Sequence, residues 1–194
     1  MQKLTREDLW SLEDYAQKRD AFRRQLIEHK RVRSLQVGPD VRLLFEDRLT
    51  MQYQIQEMLR SERIFEPQGI QDELDTYNAL IPGADNLTAT MMIEFENVAE
   101  RQQALARFVG IEDRVWLQVA GSKRVNAVAD EDMDRSTDDK TSSVHFLRFE
   151  LTAPMVSALK NGAVLSAGIE HTNYSYTLAA IPAELRASLM ADLS

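Results

Sequence analysis

The chain contains no cysteine among its 194 residues, and this absence excludes several kinds of chemistry. Without thiols the protein forms no disulfide, has no thiolate nucleophile and holds no cysteine-ligated zinc ion or iron–sulfur cluster through its own side chains. Long apolar runs are lacking as well, because no window approaches the roughly 20 residues that a membrane span needs. The amino terminus, MQKLTREDLW, also lacks the apolar stretch of a secretory signal. We therefore expect a cytoplasmic protein with no membrane span.

The familiar catalytic motifs are missing too. The chain has no G-x-S-x-G elbow, P-loop, G-x-G-x-x-G, H-E-x-x-H or Glu-x-x-His, which are typical of hydrolases, nucleotide-binding proteins, metalloproteases and di-iron bundles. Its residues by themselves leave open whether it is an enzyme.

The composition indicates a folded, acidic protein. Apolar residues make up 44% of the chain, charged residues 28%, and the formal net charge is −8. A chain of this length buries roughly 70% of the surface that it exposes when unfolded, which is enough for a core without disulfides or a structural metal. We predict a single domain over 1–194, with a helical part over about 1–82 that includes a short hairpin, and a sheet-rich part over about 86–194.

Apolar residues recur at helical spacing up to about His29, with a break expected near Arg19 and Asp20, so the pattern favours two short helices or one bent helix. A hairpin is expected around Gly38, because a short loop with glycine and proline separates two β-prone runs. Further helices are predicted over 47–64 and 70–80, the second preceded by a break at 67–69 and stopped by proline and glycine at 82–83.

The second half of the sequence reads as strands with interspersed helices. Strands are predicted from the alternation of apolar and polar residues and from turn residues, and they cover 87–95, 114–120, 124–129, 144–151, 164–169 and 174–179. Helices are expected over 98–108, 154–160 and 182–193. The fold class that follows is α+β, with a helical amino-terminal third packed on a mainly antiparallel sheet.

Charge is distributed unevenly. Residues 18–33 hold seven basic side chains against two acidic ones, and residues 57–75 hold six acidic against two basic. The two segments are either solvated faces or pair with each other across the fold. A nucleic-acid interface is disfavoured, because the whole chain is acidic and Phe22 is the basic segment's single aromatic side chain.

One candidate site lies where a predicted strand passes into a predicted helix. Polar side chains concentrate there at Glu46, Arg48, Gln54 and Glu57, and Arg148 lies on another predicted strand. Such junctions commonly carry binding loops, and an arginine there is suited to an anionic small molecule. The alternative is that Asp47 caps the helix, Glu46 and Arg48 form local ion pairs, and Gln54 and Glu57 face water.

A second candidate site would use histidine. His145 and His171 could share a mononuclear iron, manganese or zinc ion with Asp132 or Glu170 if their strands pair, because imidazole and carboxylate suit those metals. The alternative places both histidines in ordinary core or surface positions. The acidic stretch 130–141 imitates the spacing of a calcium loop but has Arg135 at the glycine position and no glutamate at its end.

Several stretches resemble an uncharacterised bacterial domain family of unknown function. The hallmark is LLFEDRLTMQYQIQEMLR at 43–60, joined by ELDTYN at 73–78, RVWL at 114–117, ADED at 129–132 and KTSSVHFLRFEL at 140–151. The resemblance spans essentially the whole chain. Members of the family are typically encoded beside a rubrerythrin-like protein and an iron–sulfur oxidoreductase, which implies an accessory role in a redox or peroxide-defence system. The family supplies no catalytic residues.

Three hypotheses follow from these observations. The first is an accessory protein that binds such redox partners, and it predicts an exposed apolar patch rimmed by charge. The second is an enzyme or sensor with the mononuclear metal described above. The third is a protein that binds a small anionic ligand in a pocket between the helical third and the sheet.

Overall fold

A computed structural model describes residues 2–129 and 139–193. Its helices in these ranges are α1 Leu12–Arg31, α2 Arg48–Ser61, α3 Pro67–Asn78, α4 Val98–Arg107, α5 Ala153–Lys160 and α6 Ala183–Asp192. The strands are β1 Ser34–Gln36, β2 Val41–Phe45, β3 Asn86–Ile93, β4 Val115–Val119, β5 Arg124–Asn126, β6 Val128–Ala129, β7 Val144–Glu150, β8 Leu165–His171 and β9 Tyr174–Leu178. The α+β class predicted from the sequence is confirmed.

The first long helix, α1, is continuous, so the predicted break near Arg19 and Asp20 is wrong. The interruption lies earlier, between a 3₁₀ turn at Arg6–Asp8 and Ser11, whose hydroxyl accepts a hydrogen bond from the backbone N–H of Asp14. Serine is a strong helix N-cap, and it starts a new helix at this point. The apolar residues on either side of Ser11 continue one helical spacing, so the sequence pattern did not show the boundary at that residue.

The strands form two antiparallel sheets where a single main sheet was expected. One has the order β1-β2-β3-β7-β6 and the other β5-β4-β8-β9. The predicted hairpin around Gly38 is confirmed as β1 and β2, but these strands join β3 and β7 in the first sheet and are not an appendage of the helical third. The stretch 124–129 is divided at Ala127, so that β5 and β6 belong to different sheets.

Tyr174, the first residue of β9, ties the second sheet to the turn between β1 and β2. Its hydroxyl donates to the carbonyl of Val37 over 2.8 Å and accepts from the backbone N–H groups of Asp40 and Val41 over 3.0 and 3.1 Å. Burial raises the pKa of Tyr174 to about 12, which keeps the hydroxyl protonated as a donor. Gly38, in the same turn, has φ +75°, and a Cβ there would lie 2.5 Å from the tyrosine oxygen.

The core is divided into two clusters. The larger lies between the two sheets and under α4, α5 and α6. The smaller belongs to the helical third, where residues of α2 and α3, including Met51, Ile55, Leu59 and Leu74, pack with Leu4 and Leu9 from the amino terminus. Helix α3 begins at Pro67, earlier than predicted, because proline is well tolerated at the first helical position. In the two described ranges, no helix has the length and apolar character to cross a membrane.

Candidate functional site

The junction between β2 and α2, where the sequence placed candidate binding residues, is buried. Asp47 is the N-cap of α2: its Oδ1 accepts from the backbone N–H of Thr50 over 2.9 Å, and the hydroxyl of Thr50 accepts from the backbone N–H of Asp47 over 2.9 Å. This reciprocal pair satisfies orphan amides at the helix start. The second oxygen of Asp47 lies 2.5 Å from Nε2 of His29 in α1. The capping role considered for Asp47 is thus confirmed.

Arg33 is the centre of this junction. Its side chain is only 1% exposed, yet each part of the guanidinium has an acceptor. Nε donates to the carbonyl of Phe45 over 2.9 Å, Nη1 to the hydroxyl of Ser188 over 2.8 Å, and Nη2 to Oδ2 of Asp192 over 2.5 Å. A buried charge is tolerated when it is paired and fully hydrogen-bonded, and Arg33 meets both conditions. It joins the end of α1 to β2 and to the carboxy-terminal helix α6.

Glu46 lies beside Asp47 but has a different environment. Its Oε1 accepts from the hydroxyl of Thr90 over 2.5 Å. In the part of the chain that the structure describes, its buried Oε2 has no hydrogen-bond partner. Burial raises the pKa of the Glu46 carboxyl, and neighbouring Asp47 raises it further, against the lowering effects of Thr50, Thr90 and Lys30.

Glu57, in the third turn of α2, is bound by two side chains of α1, Arg19 and Tyr15. Arg19 binds it in a fork, with Nε 2.7 Å from Oε1 and Nη2 2.7 Å from Oε2, and the Tyr15 hydroxyl donates to Oε1 over 2.6 Å. The hydrogen bonds from Arg19 are the main cause that lowers the pKa of Glu57 to about 2. Arg19 belongs to the basic segment and Glu57 to the acidic one, so this contact is one ion pair between the two segments.

The remaining candidate ligand-binding residues have contacts of their own. Arg48 pairs with Asp8 over 2.5 Å, at the amino-terminal 3₁₀ turn. Arg148, on β7, pairs with Glu150 on the same strand. Gln54 is half-buried on α2. The structure thus gives Arg48 and Arg148 carboxylate partners, and the anion clamp stays a prediction from the sequence.

The two histidines of the suggested metal site lie in different sheets. His145 is fully buried on β7, where Nε2 lies 2.8 Å from the Thr141 hydroxyl and 3.1 Å from the carbonyl of Ser142. The Thr141 hydroxyl in turn donates to Glu112 over 3.0 Å. These contacts place His145 inside a buried polar chain with Thr141 and Glu112.

His171, at the end of β8, lies elsewhere: its Nε2 is 3.1 Å from the carbonyl of Val109, and Glu170 beside it pairs with Arg124 over 2.6 Å. Asp132 is outside the described residues. Within 2–129 and 139–193, no three His, Asp or Glu side chains are arranged to hold a metal ion.

A groove in the helical third lies beside Phe65, which has the most exposed large apolar side chain of the described residues. It has a volume of about 200 Å³ and lies between the amino-terminal turn and the loop that joins α2 to α3. We call it the Phe65 groove, and it is lined by Arg6, Trp10, Ser11, Leu12, Glu13, Leu59, Ile64, Phe65 and Ile70. Phe65 itself is 68% exposed. Two positions before Phe65, where the chain leaves α2, Arg63 is a non-glycine residue in the left-handed region at φ 56°.

Sequence reasoning missed several of these residues. Arg33 counted only as part of the basic segment, because its partner Asp192 is 159 positions away and nothing local connects the two. Tyr15 fitted the apolar stripe of α1, which concealed its bond to Glu57. Phe65 carried a weak signal, since a phenylalanine just before the Pro67 break has no place in either helical stripe.

Residues 3–193 match the family described as a protein of unknown function, DUF3501. Because the match covers nearly the whole chain, the protein belongs to this family. A similar solved structure is the crystal structure of a novel protein of unknown function from Burkholderia pseudomallei K96243. It is 50% identical, the alignment covers 100% of both chains, and the TM-score is 0.94. Comparison with curated proteins found no match.

Proposed function

We propose that this protein is a cytoplasmic accessory protein of a redox or peroxide-defence system and that it acts by binding another protein through the Phe65 groove. The observation that carries the proposal is the exposure of Phe65 beside an apolar groove with Arg6 and Glu13 at its edge. Large exposed apolar side chains rimmed by charge are typical of protein interaction sites. The candidate arginines support docking over small-anion binding, since Arg48 and Arg148 are both paired with carboxylates.

The groove is suited to a basic amphipathic segment of the partner. The flanking loop and helix α3 carry Glu62, Glu66, Asp72 and Glu73. Burial raises the pKa of Glu73, and the carboxylates of Glu62 and Asp72 raise it further, which indicates an excess of negative charge at this flank. A helix with an apolar face and lysine or arginine beside it would bury Phe65 and neutralise this flank.

The family resemblance implies the class of partner. A rubrerythrin-like protein and an iron–sulfur oxidoreductase are the expected candidates, because the resemblance implies that they are encoded beside members of the family. A cysteine-ligated iron–sulfur cluster in such a complex would belong to those partners, since this chain has no cysteine to ligate one.

The test measures binding of the purified chain to each of these two partners by biolayer interferometry. Phe65→Ser removes the exposed ring, and we expect at least a tenfold weaker Kd, about 1.4 kcal/mol, because a central aromatic side chain dominates such interfaces. The charge reversal Glu62→Lys with Glu66→Lys should also weaken binding and reduce its dependence on salt.

Val98→Ser is the matched control, because Val98 is 57% exposed but lies on α4, outside the groove. It should bind as the wild type does. The proposal is rejected if neither partner binds the wild-type chain, or if Phe65→Ser and Val98→Ser bind with the same Kd.

A further inference from the structure

Helix α1 has one long face that the rest of the fold leaves open to solvent. Residues that are three, four or seven positions apart share one face of a helix. The core side of α1 carries the buried side chains of Tyr15, Phe22 and Leu26. Another side, which we call the α1 face, is exposed in every turn, with one half-buried member, Lys30. The α1 face consists of Glu13, Ala16, Asp20, Arg23, Arg24, Ile27, Lys30 and Arg31.

The two halves of the α1 face carry opposite charge. The amino-terminal half has the carboxylates of Glu13 and Asp20. The carboxy-terminal half has a basic residue at each position three or four before and after Ile27, namely Arg23, Arg24, Lys30 and Arg31. Glu28, at the border of the face, lies 3.5 Å from Arg31, so this half keeps four cations against one carboxylate.

The α1 face also has groups that a partner would satisfy. Ile27 is 55% exposed at the centre of the basic half, and the small side chain of Ala16 is exposed in the acidic half. Within residues 2–129 and 139–193, Asp20 and Arg24 form no ion pair, with each other or with any other side chain. An apolar side chain ringed by charges of this kind is typical of an interaction surface.

The arrangement of charge makes the face complementary to itself. A second α1 laid antiparallel on the first, about a two-fold axis near the middle of the face, sets the acidic half of each helix against the basic half of the other. Asp20 of one chain then faces Arg24 of the other, and Ile27 lies near Ala16. Because a two-fold axis repeats every contact, the same pairs form at both ends of the interface.

We propose that the α1 face is a dimer interface and that its occupant is the α1 face of a second copy of this chain. The argument is charge complementarity: each copy has a net charge of −8, and the antiparallel pairing sets the basic half of α1 against carboxylates. This inference does not rest on the proposed function, since no redox partner takes part in it. One helix per chain buries little area, so the dimer is weak and sensitive to salt.

The test is sedimentation velocity of the purified full chain over a range of concentrations. We expect the sedimentation coefficient to rise with concentration from that of a monomer toward that of a dimer. The dimer Kd should be at least tenfold weaker in about 0.5 M salt than in about 0.05 M salt, because the contacts across the interface are exposed ion pairs. Ile27→Ser should also weaken the dimer, since it removes the central apolar contact.

Two charge reversals give the sharpest form of the test. Arg24→Glu and Asp20→Arg each set like charges against one another twice across the two-fold axis, so each variant alone should have a Kd at least tenfold weaker than the wild type. In an equimolar mixture of the two, the introduced arginine faces the introduced glutamate, and the unchanged Asp20 and Arg24 face each other. The mixture should therefore regain the wild-type Kd, which contacts within one chain cannot bring about.

Lys123→Glu is the matched control, because it makes the same change in charge at an exposed cation between β4 and β5, away from α1. It should dimerise as the wild type does. The proposal is overturned if Arg24→Glu and Lys123→Glu have the same Kd, or if the mixture of the two reversed variants associates no more tightly than each variant alone. It is equally overturned if the wild type stays monomeric at the highest concentration in low salt, since the α1 face would then belong to a different partner.

Discussion

Glu46 and Glu57 lie eleven positions apart, and their environments are opposite. Glu57 is partly exposed, bound by Arg19 and Tyr15, and its pKa is lowered to about 2. Glu46 is buried, has a hydrogen bond from Thr90 on one oxygen, and its pKa is raised. The difference teaches that the identity of the side chain does not decide its charge state. Burial decides it for Glu46, and the hydrogen bonds from Arg19 of α1 decide it for Glu57.

The same comparison separates structural from proton-linked roles. The ion pair of Glu57 with Arg19 joins α1 to α2 in the helical third, where it is partly screened by solvent. The cluster of Glu46, Asp47 and Arg33 joins the helical third to the sheet and to α6. It is buried, so the gain or loss of a proton there changes the interaction energy more than it would in water. Four substitutions test this contrast, in order of decreasing effect.

Replacing Arg33 with methionine should have the largest effect. Asp47 and Asp192 would lose their shared buried cation, and removing one partner from such a cluster costs about 3–5 kcal/mol of unfolding free energy. Urea unfolding measures the change. Arg31→Met is the control, because Arg31 is exposed and only 3.5 Å from the exposed Glu28, and it should change stability by less than about 0.5 kcal/mol. Equal effects of the two variants would contradict the central role of Arg33.

Replacing Glu57 with glutamine should cost about 2 kcal/mol at neutral pH, because a charge-assisted fork and a tyrosine hydrogen bond lose their acceptor charge. The loss should shrink as the pH falls below the ordinary glutamate value toward 2, where the wild-type carboxyl is itself protonated. Glu66→Gln, an exposed change in the loop before α3, should stay within about 0.5 kcal/mol. A Glu57→Gln penalty that does not change between pH 7 and pH 2.5 would contradict this account.

Much of the fold follows from local patterns in the sequence. The hairpin at Gly38, the alternation in β3 and β7, and the start of α6 after Pro182 agree with the structure because each depends on neighbours in the chain. The capping role of Asp47 was equally readable, since it requires only Thr50 three positions later. The division into two sheets was not readable, because strand partners such as β3 and β7 are set by packing between distant segments.

The sites were harder to predict for the same reason. The sequence analysis placed Glu46 and Glu57 in the same candidate site because of their residue type. In the folded chain Arg19 lies beside Glu57 and not beside Glu46. Arg33 and Asp192 show the limit most clearly, since their contact joins the first helix to the last. Exposure of Phe65 also depends on tertiary structure, because the helical third buries Ile64 partly and leaves its neighbour in solvent.

Replacing Tyr15 with phenylalanine isolates one part of the Glu57 environment. The ring stays packed beside Trp10, 6.1 Å between centroids, but the hydroxyl that donates to Glu57 is lost. We expect a loss of about 1 kcal/mol, the usual net worth of one hydrogen bond, and a rise in the pKa of Glu57 from its present value of about 2. NMR titration of the Glu57 carboxyl measures the pKa. An unchanged value would mean that Arg19 alone determines it. Tyr77→Phe is the control, because Tyr77 lies on α3, outside the Glu57 environment, and this variant should leave the pKa of Glu57 unchanged.

Replacing Glu46 with glutamine should have the smallest effect and the opposite sign. A carboxyl with a raised pKa stabilises the folded state fully below its unfolded value and loses that contribution as the pH rises through the folded value. Glutamine avoids the buried charge, so the variant should be more stable than the wild type by about 1 kcal/mol at pH 8 and no more stable at pH 4.

Thermal unfolding between about pH 2.5 and pH 8 compares the acid limb and the alkaline limb of the stability profile directly. In Glu57→Gln the melting temperature should fall less steeply on the acid side than in the wild type. In Glu46→Gln it should fall less steeply on the alkaline side. If Glu46→Gln instead lost stability at pH 8, the carboxylate of Glu46 would be stabilising when ionised, and the contrast between the two glutamates would disappear.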